Sequence, residues 1–272
     1  MALEYFYITN SPKVAVACER AGVDRIFIDM EYIGKDKRQG GLDTVKNHHT
    51  VEDVKSIRNV ITKSKLLVRV NPIHERSAEE INSVIDAGAD FIMLPMWKSV
   101  EEVKTFYSIV NRRVKTILLL ETDEARLCLD EVIKLKDVDE IYIGLNDLHL
   151  SQHKKFMFEL YTDGTVDEIV NKLKSANIKF GIGGVGKVNC DNLLSAENIL
   201  CEHYRLGSSM VILARAFCDW TKYSVEEFEQ IMTNGIAENR EYEKSLEAKS
   251  ADFFDDIHNE TAKIIEKIKA NR

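Results

Sequence analysis

Two carboxylates draw attention first. Glu121 closes the apolar run Ile117-Leu118-Leu119-Leu120, and Asp147 follows Ile141-Tyr142-Ile143-Gly144-Leu145-Asn146. Each sits just past an apolar run of strand length, and the two runs are consecutive. Adjacent parallel strands lie about 4.8 Å apart. Acids at two such strand ends can therefore share one hard cation such as Mg²⁺ or Mn²⁺, with waters and substrate oxygens completing an octahedron. The same placement also suits acids that cap the helices to follow, and both readings stand at this point.

Arg69 lies inside Leu66-Leu67-Val68-Arg69-Val70-Asn71, an otherwise buried pattern. A buried guanidinium needs a partner. It can fork a substrate carboxylate at a barrel mouth, or pair with Asp29 or Glu31 at the end of the preceding run, and one arginine can do both. Asp29 and Glu31 in turn can orient Arg69 or a metal-bound water. His48 and His49 precede a helix. On extended chain they point to opposite sides, so at most one faces a site, as a base near neutral pH or as a solvated loop residue. His149 and His153, near Asp147, carry the same two readings. The run Gly181-Ile182-Gly183-Gly184-Val185-Gly186-Lys187 lacks the spacing of a phosphate loop, because Val188 follows the lysine. It reads as a strand and its turn, whose backbone N–H groups can meet an anion.

The elements that must position these residues alternate. Runs at 4–9, 24–30, 65–70, 90–96, 116–121, 140–144, 179–184 and 209–214 are β-rich, and helical stretches separate them. Most are continuously apolar, as expected of strands covered on both sides. Eight such units predict a closed (β/α)₈ TIM barrel rather than an open sheet. Ser11-Pro12, Thr50 ahead of the acidic turn Glu52-Asp53, and Ser99 with Glu102 mark helix starts. Gly22 and Gly88 stand where helices end. The barrel is expected over residues 1–222, with a helical extension over 223–272. The extension reads as two charged helices whose apolar positions pack on the barrel or on a neighbouring subunit. The stretches 33–49 and 148–164 break the rhythm after the second and sixth strands, on the side where barrels build active sites.

Composition narrows the class. Hydrophobic residues are 44% of the chain and charged residues 30%, with a net charge of −8. No basic stripe points to nucleic acid. No apolar run reaches the roughly 20 residues that span a bilayer, and the first residues lack the build of a signal peptide. Five scattered cysteines (Cys18, Cys128, Cys190, Cys201 and Cys218) form no paired motif. They read as reduced thiols of a cytoplasmic protein.

Taken together these stretches resemble the HpcH/HpaI aldolase and citrate lyase β-subunit family, within the phosphoenolpyruvate/pyruvate-binding barrel superfamily. The resemblance is carried in order by Phe27-Ile28-Asp29-Met30-Glu31, Leu67-Val68-Arg69-Val70-Asn71-Pro72, Asp86-Ala87-Gly88-Ala89-Asp90 with Leu94-Pro95-Met96, Leu120-Glu121-Thr122, and Ile143-Gly144-Leu145-Asn146-Asp147-Leu148. It implies a metal-dependent carbon–carbon lyase acting through the enolate of a 2-oxo acid. Glu121 and Asp147 would ligate Mg²⁺, Mn²⁺ or Co²⁺, and Arg69 would hold the enolate oxygen. Arg69, Asp29, Glu31, Leu145 and Asn146 are the expected substrate contacts. A homo-oligomer (dimer, trimer or hexamer) is implied, with C-terminal helices packing between subunits.

Two departures stand out. Aldolases of the family commonly carry a histidine where this chain has Tyr32, and a glutamine where it has Leu119. The base is therefore open among Tyr32, His48, His49 and a metal-bound water. Two other readings follow: a citryl- or malyl-type acyl-thioester lyase, and a catalytically silent barrel that keeps its metal site.

Overall fold

Side chains that alternate between two apolar layers are what let this sheet close on itself. The computed structural model describes residues 2–34 and 49–271. Among them the strands are β1 (Glu4–Ile8), β2 (Arg25–Asp29), β3 (Lys65–Arg69), β4 (Phe91–Leu94), β5 (Lys115–Leu120), β6 (Glu140–Ile143), β7 (Lys179–Val185) and β8 (Met210–Leu213). They pair in parallel in sequence order, and β1 pairs β8 to complete a closed barrel. The expected (β/α)₈ fold is the observed one.

The helices are α1 (Pro12–Ala21), α2 (Val51–Arg58), α3 (Ser77–Asp86), α4 (Val100–Val110), α5 (Asp123–Leu127), α6 (Leu129–Val132), α7 (Leu145–Ser151), α8 (Glu159–Thr162), α9 (Thr165–Ser175), α10 (Ala196–Leu206), α11 (Val225–Leu246) and α12 (Ala251–Ala270). Their starts are locally encoded. The Ser11 hydroxyl accepts from Val14 N–H ahead of Pro12. Thr50 with Asp53, and Ser99 with Glu102, form reciprocal capping boxes. Gly22 ends α1 at φ +97°, in the left-handed region where glycine carries no steric penalty.

Parity along the strands separates two cores. Phe6, Phe27, Leu67, Met93, Ile117, Leu119, Tyr142 and Met210 fill the barrel interior. Their neighbours Ile26, Ile28, Leu66, Val68, Ile92, Leu118, Leu120, Ile141 and Ile143 face outward into the layer beneath the helices. One residue further along the inward parity lie Asp29, Arg69, Glu121 and Gly144, at the C-terminal ends of β2, β3, β5 and β6. The pattern that fills the core thus also delivers the polar groups to the mouth.

The tail helices dock on this chain's own barrel: α11 packs along α1, and α12 lies against α10 and α8. Glu243 of α11, which is buried, accepts from Leu3 N–H at 2.9 Å, from the Tyr5 hydroxyl, and from Arg240 at 3.0 Å. Arg240 stands 3.9 Å over the Tyr5 ring. Among the described residues no helix is long and apolar enough to cross a membrane, and all five cysteines are free.

Candidate functional site

The mouth of the barrel opens into a cavity of about 180 Å³. Its floor is the top of the interior core: Phe27, Met93, Leu119, Tyr142 and Ile212. Its charged wall is Arg69, Glu121 and Asp147. Asn146, Leu145 and Gly144 lie beside Asp147, Gly183 and Gly184 belong to β7, and Met157 and Phe158 close the rim. A larger hollow of about 400 Å³ lies at the other end of β5 and β6. There Lys115 already pairs Asp139 and Arg112 pairs Asp137, and barrel enzymes place their chemistry at the C-terminal end.

Glu121 is not a helix cap. Thr122 caps α5 instead: its hydroxyl accepts from Ala125 N–H at 3.1 Å and donates to Trp97 C=O at 2.8 Å. Glu121 is left to turn inward, with Oε1 accepting from Met96 N–H at 3.1 Å. Met96 presents that N–H from a left-handed backbone, φ +53°, a conformation uncommon outside glycine. Asp147 lies in the first turn of α7, whose cap position is held by Gly144 without a side-chain hydrogen bond. Gly144 has a second use. A Cβ there would stand 2.9 Å from Glu121 Cβ and 3.1 Å from its Oε2, so the absent side chain leaves Glu121 room.

The electrostatics of the pair are those of crowded anions. Burial, and next the Asp147 carboxylate, push the Glu121 pKa well above the ordinary carboxylate range. Arg69 pulls it down, and Glu31 adds to the rise. Among the described residues no cluster of three or more His, Cys, Asp or Glu side chains forms a ready metal cage. Two protein carboxylates with open positions is the arrangement that Mg²⁺ tolerates, because that ion keeps waters and substrate oxygens in its shell.

Arg69 makes the ion pairs that one sequence reading expected, and it lines the cavity as well. β2 and β3 pair with Asp29 opposite Arg69. The guanidinium donates to Asp29 through Nε at 2.8 Å and Nη2 at 2.9 Å, and Glu31 lies 3.4 Å from Nη2. Burial disfavours its charge, yet these acids hold its pKa well above normal. Asp29 takes two of the five N–H donors, and the group still lines the cavity. Asp29 and Glu31, expected as substrate contacts, stand behind Arg69 and fix its plane.

The candidate bases separate. His49 Nδ1 accepts from Asp29 N–H at 3.0 Å, which leaves the neutral ring's proton on Nε2. His49 thus braces the strand end that holds Arg69. Tyr32 is 62% exposed and does not reach the cavity wall. Its backbone N–H and that of Ile33 donate to the Asn71 side chain at 2.9 and 3.0 Å. His48 lies outside the described residues. His149 is buried with Nδ1 at 3.3 Å from Leu145 C=O, and His153 is exposed; neither lines the cavity. Leu145 and Asn146 do.

Sequence reasoning missed Gly144, Met96 and Tyr142. The glycine-rich run was the available signal for Tyr142, because β7 carries a register shift between Gly181 and Gly184 where it meets β8. The Tyr142 hydroxyl bridges that gap. It donates to Gly183 C=O at 2.6 Å and accepts from Ile212 N–H at 2.7 Å. The Ala87-Gly88-Ala89-Asp90 stretch proves structural: it lies at the opposite end of β4, where Asp90 accepts from Leu66 N–H and from Arg58.

Comparison with known proteins bears on the family and the fold. The family described as HpcH/HpaI aldolase/citrate lyase matches residues 3–182, a span that holds Asp29, Arg69, Glu121 and Asp147. The chain is similar to a solved HpcH/HpaI aldolase from Desulfitobacterium hafniense DCB-2, at 13% identity and TM-score 0.58, covering 87% of this chain and 92% of that one. It is also similar to an HpcH/HpaI aldolase/citrate lyase family protein from Burkholderia cenocepacia J2315, at 18% identity and TM-score 0.58, covering 78% and 88%. A third similar structure is the citrate synthase SbnG, at 14% identity and TM-score 0.57, covering 88% and 94%. At these identities the structural likeness speaks for the fold. No curated protein sequence matches the chain.

Proposed function

This chain belongs to the HpcH/HpaI aldolase/citrate lyase family, which makes it a carbon–carbon lyase, and from that premise we propose that it works through the enolate of a pyruvate-like 2-oxo acid with a divalent metal held by Glu121 and Asp147. The observation that carries this reading is that those two carboxylates share one cavity wall; burial, and next the Asp147 carboxylate, push the Glu121 pKa up, and a cation between them would relieve that cost. The space kept at Gly144 beside Glu121 Oε2 fits the same role. Mg²⁺, Mn²⁺ or Co²⁺ suits an all-oxygen set of this kind. When bound, such an ion supplies Lewis-acid stabilisation to the negative charge that grows on the 2-oxo oxygen.

The remaining work falls to the protein. Arg69, fixed by Asp29 and Glu31, is a preorganised cationic donor at the cavity wall. It costs no reorganisation when charge develops on a substrate oxygen. His49 and Asn71 hold the β2 end that carries Asp29 and Glu31. Phe27, Met93 and Leu119 beneath the charged wall keep the local dielectric low, which strengthens each of these contacts.

The test is hydrogen–deuterium exchange at the pyruvate methyl group, followed by NMR in D₂O with Mg²⁺. Exchange should appear with metal and vanish with EDTA. Glu121→Gln should lose both exchange and calorimetric Mg²⁺ binding. Exchange undiminished in EDTA would falsify the metal-enolate reading. No exchange under any metal would leave a silent barrel.

A further inference from the structure

We infer that Glu80, in the first turn of α3, is a positioning residue for the charged wall of the cavity: acting through Asn71, it fixes the end of β2 whose acids hold Arg69. This rests on the enolate reading above and adds to that site a residue that does not itself line the cavity.

The buried side chain of Asn71 is saturated. Its Nδ2 donates to Glu80 Oε1 at 2.8 Å and to Met30 C=O at 3.4 Å. Its Oδ1 accepts from Tyr32 N–H at 2.9 Å and from Ile33 N–H at 3.0 Å. A primary amide has two donors and two acceptor lone pairs, so every one of them is used. Only one orientation of the amide serves the 30–33 backbone, with Oδ1 toward the two N–H groups. Glu80 selects it, because an ionised carboxylate accepts and never donates. The Asn71 backbone N–H donates to the same Oε1 at 3.2 Å. The other oxygen, Oε2, stands 3.0 Å from His74 Nε2. His74 Nδ1 accepts from Arg76 N–H at 3.2 Å, which puts the neutral ring's proton on Nε2, facing Glu80. Glu80 is thus tied at both oxygens.

The gripped segment is the one on which the charged wall depends. It contains Glu31 and directly follows Asp29, the two acids behind Arg69. Asp29 Oδ1 accepts from Glu31 N–H at 3.3 Å as well as from Arg69 Nε at 2.8 Å, so a shift of the 30–33 backbone is passed to the guanidinium. The simpler role for Glu80 is an ion pair with His74 that steadies the start of α3. That role uses only Oε2. Both bonds to Oε1 come from Asn71, which is buried, while His74 is partly exposed. A displacement of about 1 Å in a group that meets developing charge costs about 10²-fold in rate. The rate, more than stability, is where Glu80 should register.

The experiment compares Glu80→Ala, Glu80→Gln and Glu79→Ala in the full chain. Glu79 is the neighbouring exposed acid of α3, paired with Arg76, and it controls for effects on the helix. NMR reads the amide exchange of Tyr32 and Ile33 and the Arg69 Nε–H resonance. Methyl exchange with Mg²⁺ gives kcat and KM for pyruvate. Glu80→Ala should speed the two amides by about tenfold and shift the Arg69 resonance. It should lower kcat by about 10–100-fold with KM within about threefold, the signature of a contact used in the transition state. Glu80→Gln, whose carbonyl can still accept from Asn71, should recover most of the loss, and Glu79→Ala should change none of these. Unaltered amides and an unaltered Arg69 resonance in Glu80→Ala would overturn the assignment. So would a lowered unfolding midpoint with kcat per folded molecule intact. Either result leaves the enolate reading standing. If the parent chain shows no methyl exchange, the enolate reading falls, and the Arg69 resonance alone decides the positioning role.

Discussion

The two ends of this barrel each set an arginine among carboxylates, and they are built to opposite effect. At the N-terminal end Arg25 lies between the rings of Phe6 and Phe91, at 4.7 and 3.9 Å. It makes a two-pronged contact with Glu140 at 2.6 and 2.9 Å, and Glu4 accepts from its Nε at 2.8 Å. Lys179 adds a second cation, 2.5 Å from Glu4 and 3.4 Å from Glu140. Two acids meet two bases. Burial alone would raise the Glu4 pKa, but Lys179 and Arg25 leave it lowered. At the C-terminal end Asp29, Glu31, Glu121 and Asp147 gather around Arg69, and the Glu121 pKa is raised. A neutral, filled cluster closes the barrel. At the other end Glu121 and Asp147 line a hollow.

If that contrast is right, each end should fail in its own way. The largest effect is expected from Arg25→Met. It leaves the buried Glu140 with only the longer contact to Lys179, at 3.4 Å, and should lower the unfolding free energy by about 3 kcal/mol. Methyl exchange per folded molecule should stay unchanged, as read by denaturant melts beside exchange rates. Loss of exchange without loss of stability would break the distinction.

Arg69→Lys keeps a charge but not the fork held by Asp29. It should lower the exchange rate by about 10²–10³-fold, with an unfolding midpoint close to that of the parent. A variant that unfolds but exchanges normally would make Arg69 a structural plug like Arg25.

Gly144→Ala probes the space beside Glu121. The added Cβ forces a shift there, and Mg²⁺ affinity should fall about 10–100-fold by calorimetry. Unchanged affinity would mean that Glu121 does not need that space to bind the ion.

A last test sharpens the comparison by locating acid sensitivity away from both clusters. His203 of α10 is fully buried, and burial pushes its pKa down to about 3 from an ordinary 6.5. Because the folded form resists the proton, its stability is intact above 6.5 and erodes as pH falls toward 3. The slope is about 1.4 kcal/mol per pH unit. His203→Leu should flatten that part of the acid-unfolding curve. An identical slope in the variant would assign acid sensitivity to the carboxylates instead.

Much of the architecture was legible because it is local. Strand runs showed as apolar stretches with helices between them. Ser11, Thr50, Ser99 and their N3 partners showed as caps because those bonds span three residues. Glu121 and Asp147 showed as acids past strand ends. Their alternative as caps fell only when Thr122 and Gly144 were seen to occupy the cap positions.

The inward or outward sense of each strand residue was hidden. A barrel strand is covered on both faces, so Phe27 and Ile28 are equally apolar and alternation leaves no trace in residue type. Tyr32 and His49 were indistinguishable as bases until one faced outward and the other bonded the Asp29 backbone.

By itself, then, the sequence determined where the strands and helices lie and which acids end them. Periodicity and caps are short-range properties, set by residues within a turn or two of each other. Tertiary structure alone decided who meets whom: Arg69 with Asp29 across 40 residues, Met96 N–H with Glu121 across 25, and the Tyr142 hydroxyl with Gly183 and Ile212 across 41 and 70. Those meetings depend on the register of one strand against the next, and register is a property of the closed sheet rather than of any single run.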